Sequence, residues 1–144
     1  MQMLGGTILS RVREAIGIYG IGTHPTQEHV RRVEEIAMRV AMDYERRMGR
    51  EPRDVSMRES YDILSIDPGS GEARYIEVKG ISGTEIEVEL TEREMSMARE
   101  MRESHWIYIV YGIGLGSPRL LTIKYPLRVM RFTEIHLKRY RGRL

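Results

Sequence analysis

Apolar residues recur at helical spacing in the first half of the chain. Over residues 27–48 they fall along one side, which predicts a long amphipathic helix packed against a core. Thr26 is placed to cap its first turn, and Gly49 is placed to end it. A shorter helix is predicted over residues 8–16. The polar segment 49–60 predicts a loop long enough to carry function.

The middle of the chain changes to the two-residue periodicity of strands. Residues 61–66 and 73–80 are apolar or alternating, and the Asp-Pro-Gly-Ser-Gly segment at 67–71 is typical of a turn. The two runs therefore predict a β-hairpin. Residues 85–90 alternate glutamate with Ile, Val and Leu, which predicts a further half-buried strand.

The remaining pattern completes a mixed α/β order. Thr91 and Glu94 have the spacing of a capping box, which predicts a helix that begins there and ends near residue 103. The later predicted elements are strands at 106–111 and 120–125 and a short helix at 133–139. Helix, three strands, helix, and one or two strands predict a mixed central sheet flanked by helices.

The 144 residues suit a single domain, and its charge is unevenly distributed. We expect a helix and glycine-rich loop over 1–25, a core over 26–126 and a basic segment over 127–144. Residues 119–144 contain eight Lys or Arg and one acid, whereas the chain as a whole has a net charge of +2. This segment predicts either contact with a polyanion such as nucleic acid or a merely solvated terminus. The candidate contacts are Arg128, Arg131, Lys138, Arg139, Arg141 and Arg143.

Composition narrows the class of protein further. The absence of cysteine excludes disulfides, zinc-thiolate sites and thiol nucleophiles. No apolar run has the length of a membrane span, so we expect a soluble, cytoplasmic protein without a membrane partner. Arginine outnumbers lysine 20 to 3 and asparagine is absent, a composition that suits a thermophilic source.

Three ionisable residues of the predicted hairpin are placed to converge. Glu77 and Lys79 share one face of their strand, and a simple turn puts Asp62 beside them. Two converging carboxylates favour a cation between them, and carboxylate oxygens favour Mg²⁺ or Mn²⁺ over zinc. A neighbouring lysine can stabilise charge on a phosphoryl group or orient a water molecule. The alternative is a Glu–Lys pair on a solvent-facing strand.

The long helix offers a fourth candidate. At 100° per residue, Glu34 lies about 60° from the centre of the apolar stripe and Glu35 about 160° from it. Glu34 can therefore reach toward the sheet, while Glu35 faces solvent. The alternative for Glu34 is a carboxylate at the core boundary that extends into water.

Several sequence motifs together resemble one known family. The most specific are Tyr-Asp-Ile-Leu-Ser at 61–65 and Arg-Tyr-Ile-Glu-Val-Lys-Gly at 74–80, joined by Val-Glu at 33–34 and by Thr91 and Glu94. They resemble the domain family named after the C-terminus of the plant NO VEIN protein, which also occurs at the C-termini of helicase-like proteins. The resemblance covers residues 28–126.

That resemblance implies a nuclease, because the family is grouped with the PD-(D/E)XK, restriction-endonuclease-like nucleases with their αβββαβ core. It implies that Asp62 and Glu77 hold the metal with the main-chain carbonyl of Val78. Lys79 would be the motif lysine, and Glu34 would reach the metal through water. Tyr61 stands where the motif has proline.

The function expected from this resemblance is metal-dependent hydrolysis of phosphodiester bonds of DNA or RNA, in repair, restriction or defence, with Mg²⁺ or Mn²⁺ as cofactor. Because the wider group includes members without catalysis, the alternative is an inactive module that binds nucleic acid or a helicase-type partner. A homodimer with a structural N-terminal helix is a third reading.

Overall fold

The computed structural model describes residues 26–135 of the chain. The helix expected over 8–16 lies outside the described residues, and so do the candidate contacts Lys138, Arg139, Arg141 and Arg143. Within this part of the chain no helix has both the length and the apolar character needed to cross a membrane.

The first described element is helix α1, Gln27–Arg47. The Thr26 hydroxyl accepts a hydrogen bond from the His29 amide at 3.0 Å, and Gly49 follows the helix with a φ of +84°. The predicted helix, its cap and its end are therefore confirmed. One side of the helix is buried, at Val33, Ala37, Ala41 and Glu45.

A five-stranded sheet packs against this helix. Its strands are β1 (Glu51–Asp54), β2 (Ile63–Ile66), β3 (Ala73–Gly80), β4 (His105–Tyr111) and β5 (Arg119–Lys124). They lie side by side in chain order, and every neighbouring pair is antiparallel except β3 and β4. The β2–β3 pair is the predicted hairpin, with Ile63 opposite Ile76.

The parallel β3–β4 pair requires a crossover, because its strands run in the same direction. Helix α2, Glu92–Met101, and the 3₁₀ turn Arg102–Ser104 lie in this connection. A second 3₁₀ turn, Ile113–Leu115, follows β4, and the short helix α3, Pro126–Val129, follows β5. The result is the expected α/β class, a mixed sheet flanked by helices.

The two faces of the sheet bury different apolar clusters. The α1 face buries residues of the helix itself and of four further elements, namely Val33, Ala37, Ala41, Ile63, Ile76, Val78, Tyr108, Val110 and Ile113. The opposite face buries Ile81, Ile107, Ile109 and Ile123. Since side chains alternate along β3, Ile76 and Val78 point to α1 while Glu77 and Lys79 point to the other face.

The sequence expectations for residues 49–60 and 85–90 are wrong. The segment 49–60 is not entirely a loop, because it contains β1, whose mostly exposed residues give no apolar alternation to detect. Residues 85–90 are not a strand. Val88 and Leu90 pack against the second core, but Ile86 is 41% exposed and the segment pairs with no strand of the described sheet.

The basic end of the described chain also differs from expectation. Residues 133–135, the described part of the helix predicted over 133–139, are irregular. The helix in this region is α3 instead, which begins at Pro126, a residue suited to the first helical position.

Candidate active site

Glu77 and Lys79 are buried together on the central strand. Glu77 is 3% exposed and Lys79 is 2% exposed. Strand β3 lies between β2 and β4, and all of its residues from 76 to 80 are buried. Lys79 Nζ lies 3.3 Å from Glu77 Oε2. The solvent-facing Glu–Lys pair that was the alternative reading is therefore wrong.

Asp62 is fixed to the same part of β3 by its own backbone and side chain. Its amide donates to the Ile76 carbonyl at 2.9 Å, and its Oδ2 accepts from the Val78 amide at 2.8 Å. Burial raises the pKa of Asp62, and this outweighs the opposing effects of the Val78 amide and the Lys79 charge. The hairpin thus brings Asp62 into the electrostatic range of Glu77 and Lys79.

The carboxyl group of Glu77 is also perturbed by its surroundings. Burial and the charge of Asp62 raise the pKa of Glu77 well above its ordinary value, although Lys79 acts in the opposite direction. A buried carboxylate in this position is costly to ionise unless further positive charge is supplied.

Glu94 joins this group from α2. Its Oε1 lies 3.0 Å from Lys79 Nζ, so the ammonium lies between two glutamates. The sequence indicated Glu94 only as a helix cap. No local pattern relates it to Lys79, fifteen positions earlier, because the contact depends on how α2 docks on the sheet.

Glu34 lies on the other side of Asp62. It is half-buried, and with Asp62, Val78 and Gly80 it lines a cleft of about 340 Å³. Burial raises the pKa of Glu34, and the charge of Asp62 adds to this effect. Glu35 is exposed and is not among the lining residues.

A glycine lets α1 come this close to the sheet. A Cβ built on Gly80 would lie 3.0 Å from Val33 Cγ1 and 3.1 Å from Ala37 Cβ. A side chain at this position would require Val33 and Ala37 of α1 to move back by a few tenths of an ångström. Gly80 therefore fixes the distance between the helix that carries Glu34 and the strand that carries Lys79.

We name Asp62, Glu77, Lys79 and Glu94 the Glu77 cluster. With every carboxylate ionised, this cluster has two negative charges more than positive ones, which one divalent cation would neutralise. Within residues 26–135 no three or more His, Asp or Glu side chains form a group that could hold a metal ion. Mg²⁺ commonly uses one or two carboxylates and keeps several waters, so Asp62, Glu77 and the Val78 carbonyl are a suitable donor set in kind.

The predicted basic contacts are not part of this cleft. Arg128 in α3 and Arg131 beyond it are both exposed, and neither lines the cleft with Glu34 and Asp62. The guanidinium of Arg128 lies 6.0 Å from the centre of the Tyr125 ring. Their part in binding nucleic acid stays a prediction, as does metal binding by Asp62 and Glu77.

Comparison with known proteins adds one finding. No curated protein and no solved structure matches the chain significantly. A family model described as the C-terminal region of protein NO VEIN matches residues 33–123, from within α1 to within β5. The match includes Glu34 and the whole Glu77 cluster. Because it spans more than half of the sequence, the chain belongs to the NO VEIN C-terminal family.

Proposed function

We propose that this domain is a magnesium-dependent nuclease of the PD-(D/E)XK type, which hydrolyses phosphodiester bonds of DNA or RNA. The observation that carries the proposal is the burial of Glu77 and Lys79 next to Asp62, which itself lines a cleft together with Glu34. Excess negative charge at a buried position is unfavourable for stability alone, and sites with strongly perturbed pKa values are often functional. The order of helices and strands is compatible with this type of nuclease.

The carboxylates of the buried Glu77 and the partly buried Asp62 would hold the cation. Asp62 and Glu77 supply charged oxygens and Val78 supplies its main-chain carbonyl, and Glu34 would contact a water of the coordination shell. When bound, Mg²⁺ would lower the pKa of a coordinated water and so supply hydroxide for in-line attack on phosphorus. The hydrogen bond from the Val78 amide to Asp62 Oδ2 supports this role, because it restricts the orientation of the carboxylate.

Lys79 would act on the reacting phosphate. Its ammonium is kept inside the protein by Glu77 at 3.3 Å and Glu94 at 3.0 Å, so it can donate a hydrogen bond without first shedding a water shell. Such a donor stabilises the additional negative charge that develops on the phosphoryl oxygens in the transition state. Lys79 can alternatively orient the attacking water.

The nucleic acid backbone would be held by basic residues outside the cleft. Arg128 and Arg131 are exposed, and four further basic residues follow in the sequence. Contacts of this kind neutralise phosphates and do not distinguish bases, so binding should weaken as salt rises.

A second candidate function is a non-catalytic module that binds nucleic acid or a helicase-type partner. The observation that favours it is the closed contact of Lys79 with Glu77 and Glu94, which satisfies the ammonium without any ligand. In this reading the cluster is a structural ion pair, and the exposed basic residues are the functional surface.

Incubation of the purified chain with single-stranded, duplex and branched DNA and RNA separates the two candidates. We expect cleavage with magnesium or manganese and none with EDTA. Asp62→Asn should be inactive, whereas Glu35→Gln, the matched exposed control, should cleave like the wild type. Binding by the wild type without cleavage under any metal condition would overturn the nuclease proposal in favour of the module.

A further inference from the structure

In the capping box of α2, the glutamate side chain contacts a residue of the sheet as well as the start of its own helix. Thr91 Oγ1 accepts a hydrogen bond from the Glu94 amide at 3.1 Å, and Glu94 Oε1 accepts one from the Thr91 amide at 3.0 Å. These two bonds satisfy the end of the helix. The same Oε1 also accepts a hydrogen bond from Lys79 Nζ at 3.0 Å. One oxygen therefore connects the start of a helix to a buried lysine of the sheet.

This arrangement fixes the ammonium of Lys79 more firmly than a surface ion pair could. The side chain of Glu94 is only 17% exposed, and the Thr91 amide holds its carboxylate in one orientation. A charged hydrogen bond between such groups is short and directional. The flexible lysine chain thus ends on an acceptor whose own position is set by the helix.

The two glutamates that contact Lys79 are not equivalent. Glu77 lies in the electrostatic field of Asp62 and is the carboxylate proposed to hold the metal. Glu94 is anchored to α2 by its cap. A Glu77 carboxylate engaged by a cation has less negative charge to offer the ammonium, whereas Glu94 keeps its contact.

We propose that Glu94 is a positioning residue, whose carboxylate, oriented by the main-chain amide of residue 91, holds the Lys79 ammonium at the reaction site. Its catalytic meaning rests on the proposed nuclease function, but its effect on the placement of Lys79 does not. The competing view is that Glu94 only caps the helix.

Two substitutions separate capping from positioning. Glu94→Gln retains an acceptor for the Thr91 amide, since glutamine also forms capping boxes, but it removes the charge that faces Lys79. Thr91→Ala removes the hydroxyl cap and leaves the Glu94 carboxylate and the Thr91 amide in place. The first variant should therefore perturb Lys79 and the second should perturb the helix.

Cleavage kinetics in magnesium form the first measurement. For Glu94→Gln we expect kcat to fall about 10- to 100-fold, as for other groups that orient a catalytic residue, with KM almost unchanged. For Thr91→Ala we expect the Tm to fall by about 3–6 °C with kcat almost unchanged. A Glu94→Gln enzyme with wild-type kcat, or an equal loss of kcat in both variants, would overturn the proposal.

A second measurement does not need activity. The chain has three lysines, Lys79, Lys124 and Lys138, so ¹⁵N-lysine labelling gives few ammonium signals to distinguish. We expect the protons of Lys79 to exchange slowly with water in the wild type and in Thr91→Ala, and at least about threefold faster in Glu94→Gln. Equal exchange in all three proteins would overturn the positioning role. A wild type that cleaves nothing while Glu94→Gln still accelerates exchange would reject the nuclease function alone.

Discussion

The two faces of the sheet each bury a charged cluster, and the two clusters are built on opposite principles. On the α1 face, Glu45 is fully buried and accepts hydrogen bonds from Arg50 Nε at 2.6 Å and Arg50 Nη2 at 2.9 Å. The Tyr108 hydroxyl donates to the same carboxylate, and Arg74 Nη1 donates to that hydroxyl at 2.8 Å. We name these four residues the Glu45 cluster. On the opposite face lies the Glu77 cluster.

Burial raises the pKa of both glutamates, but their neighbouring groups affect the two pKa values differently. Burial alone would raise the pKa of Glu45, yet hydrogen bonds from Arg50 and Tyr108 outweigh it and lower the pKa. Burial also raises the pKa of Glu77, and there the Asp62 charge adds to the effect. Two guanidinium groups face one carboxylate in the first cluster, whereas one ammonium faces three carboxylates in the second.

The comparison shows how a structural and a functional cluster can be told apart. The Glu45 cluster satisfies its carboxylate with donors from its own chain, as a network built for stability must. The Glu77 cluster places three carboxyl groups around one ammonium, so ionising all three leaves a surplus of negative charge that opposes folding. Local arrangements that work against stability tend to persist where a ligand completes them.

The largest effect that this comparison predicts is the loss of cleavage in Glu77→Gln with no loss of fold. The amide keeps the shape of the side chain but is a poor ligand for a hard dication. Without the cation the attacking water keeps nearly its bulk acidity, so cleavage should be abolished. One repulsion with Asp62 also disappears, so the Tm without metal should stay equal or rise.

Thermal melts on the same preparations check the metal directly. At magnesium about 100 times above its Kd, the wild type should gain about 2.7 kcal/mol of stability, and Glu77→Gln should gain little. A wild-type melt that ignores magnesium, together with unchanged cleavage by the variant, would end the metal-nuclease reading.

The second-largest expected effect is a loss of folding free energy when the Glu45 cluster is changed. Glu45→Gln leaves the guanidinium of Arg50 buried against a neutral amide, and removing one partner of a buried ion pair costs about 3–5 kcal/mol. Urea unfolding should show this loss for Glu45→Gln and none for Glu77→Gln. Asp43→Asn is the matched control on the same helix, because Asp43 and its partner Arg46 are exposed, and the free energy of unfolding should hardly change. Equal destabilisation by Glu45→Gln and Asp43→Asn would remove the distinction between the clusters.

How much of this was predictable from the sequence depends on the range of each contact. Asp62 and Glu77 could be brought together in advance because they belong to one hairpin, whose short turn fixes the register. The cap at Thr26 and the capping box at Thr91 are local and were predicted too. Strand β1 was missed because its residues are mostly exposed and carry no apolar alternation.

Contacts between residues that are far apart in the sequence produce no local pattern from which they could be predicted. The contact of Lys79 with Glu94 depends on the docking of α2 on the sheet, which no local spacing encodes. The alternation of glutamate and apolar residues at 85–90 predicted a strand that does not form. The segment is irregular, but Val88 and Leu90 still pack against the apolar cluster on the face opposite α1, as the inward residues of a strand would. The Glu45 cluster likewise joins residues from three parts of the chain.

The smallest expected effect is a difference in how stability depends on pH. The pKa of Glu45 lies below the ordinary value of 4.5, and the pKa of Glu77 lies above it. The lowered pKa of Glu45 contributes stability that is present above pH 4.5 and is lost as the pH falls through the folded-state value. The raised pKa of Glu77 acts in reverse. The folded state then holds the proton more tightly than the unfolded chain, so stability is lost as the pH rises from 4.5 through the folded-state value.

Melts of the wild type and both variants in EDTA, from about pH 2 to about pH 8, test these signs, because the pH window of Glu45 lies below 4.5 and that of Glu77 lies above it. The Tm advantage of Glu77→Gln over the wild type should be near zero at the acid end and should grow as the pH rises, because only the ionised Glu77 repels Asp62. The Tm deficit of Glu45→Gln should be largest at neutral pH and should shrink toward the acid end, because protonation of Glu45 then weakens the wild type as well. Differences that stay constant across the range would show that neither carboxylate titrates differently in the folded state. The contrast between the neutralised and the surplus-charged cluster would then fail.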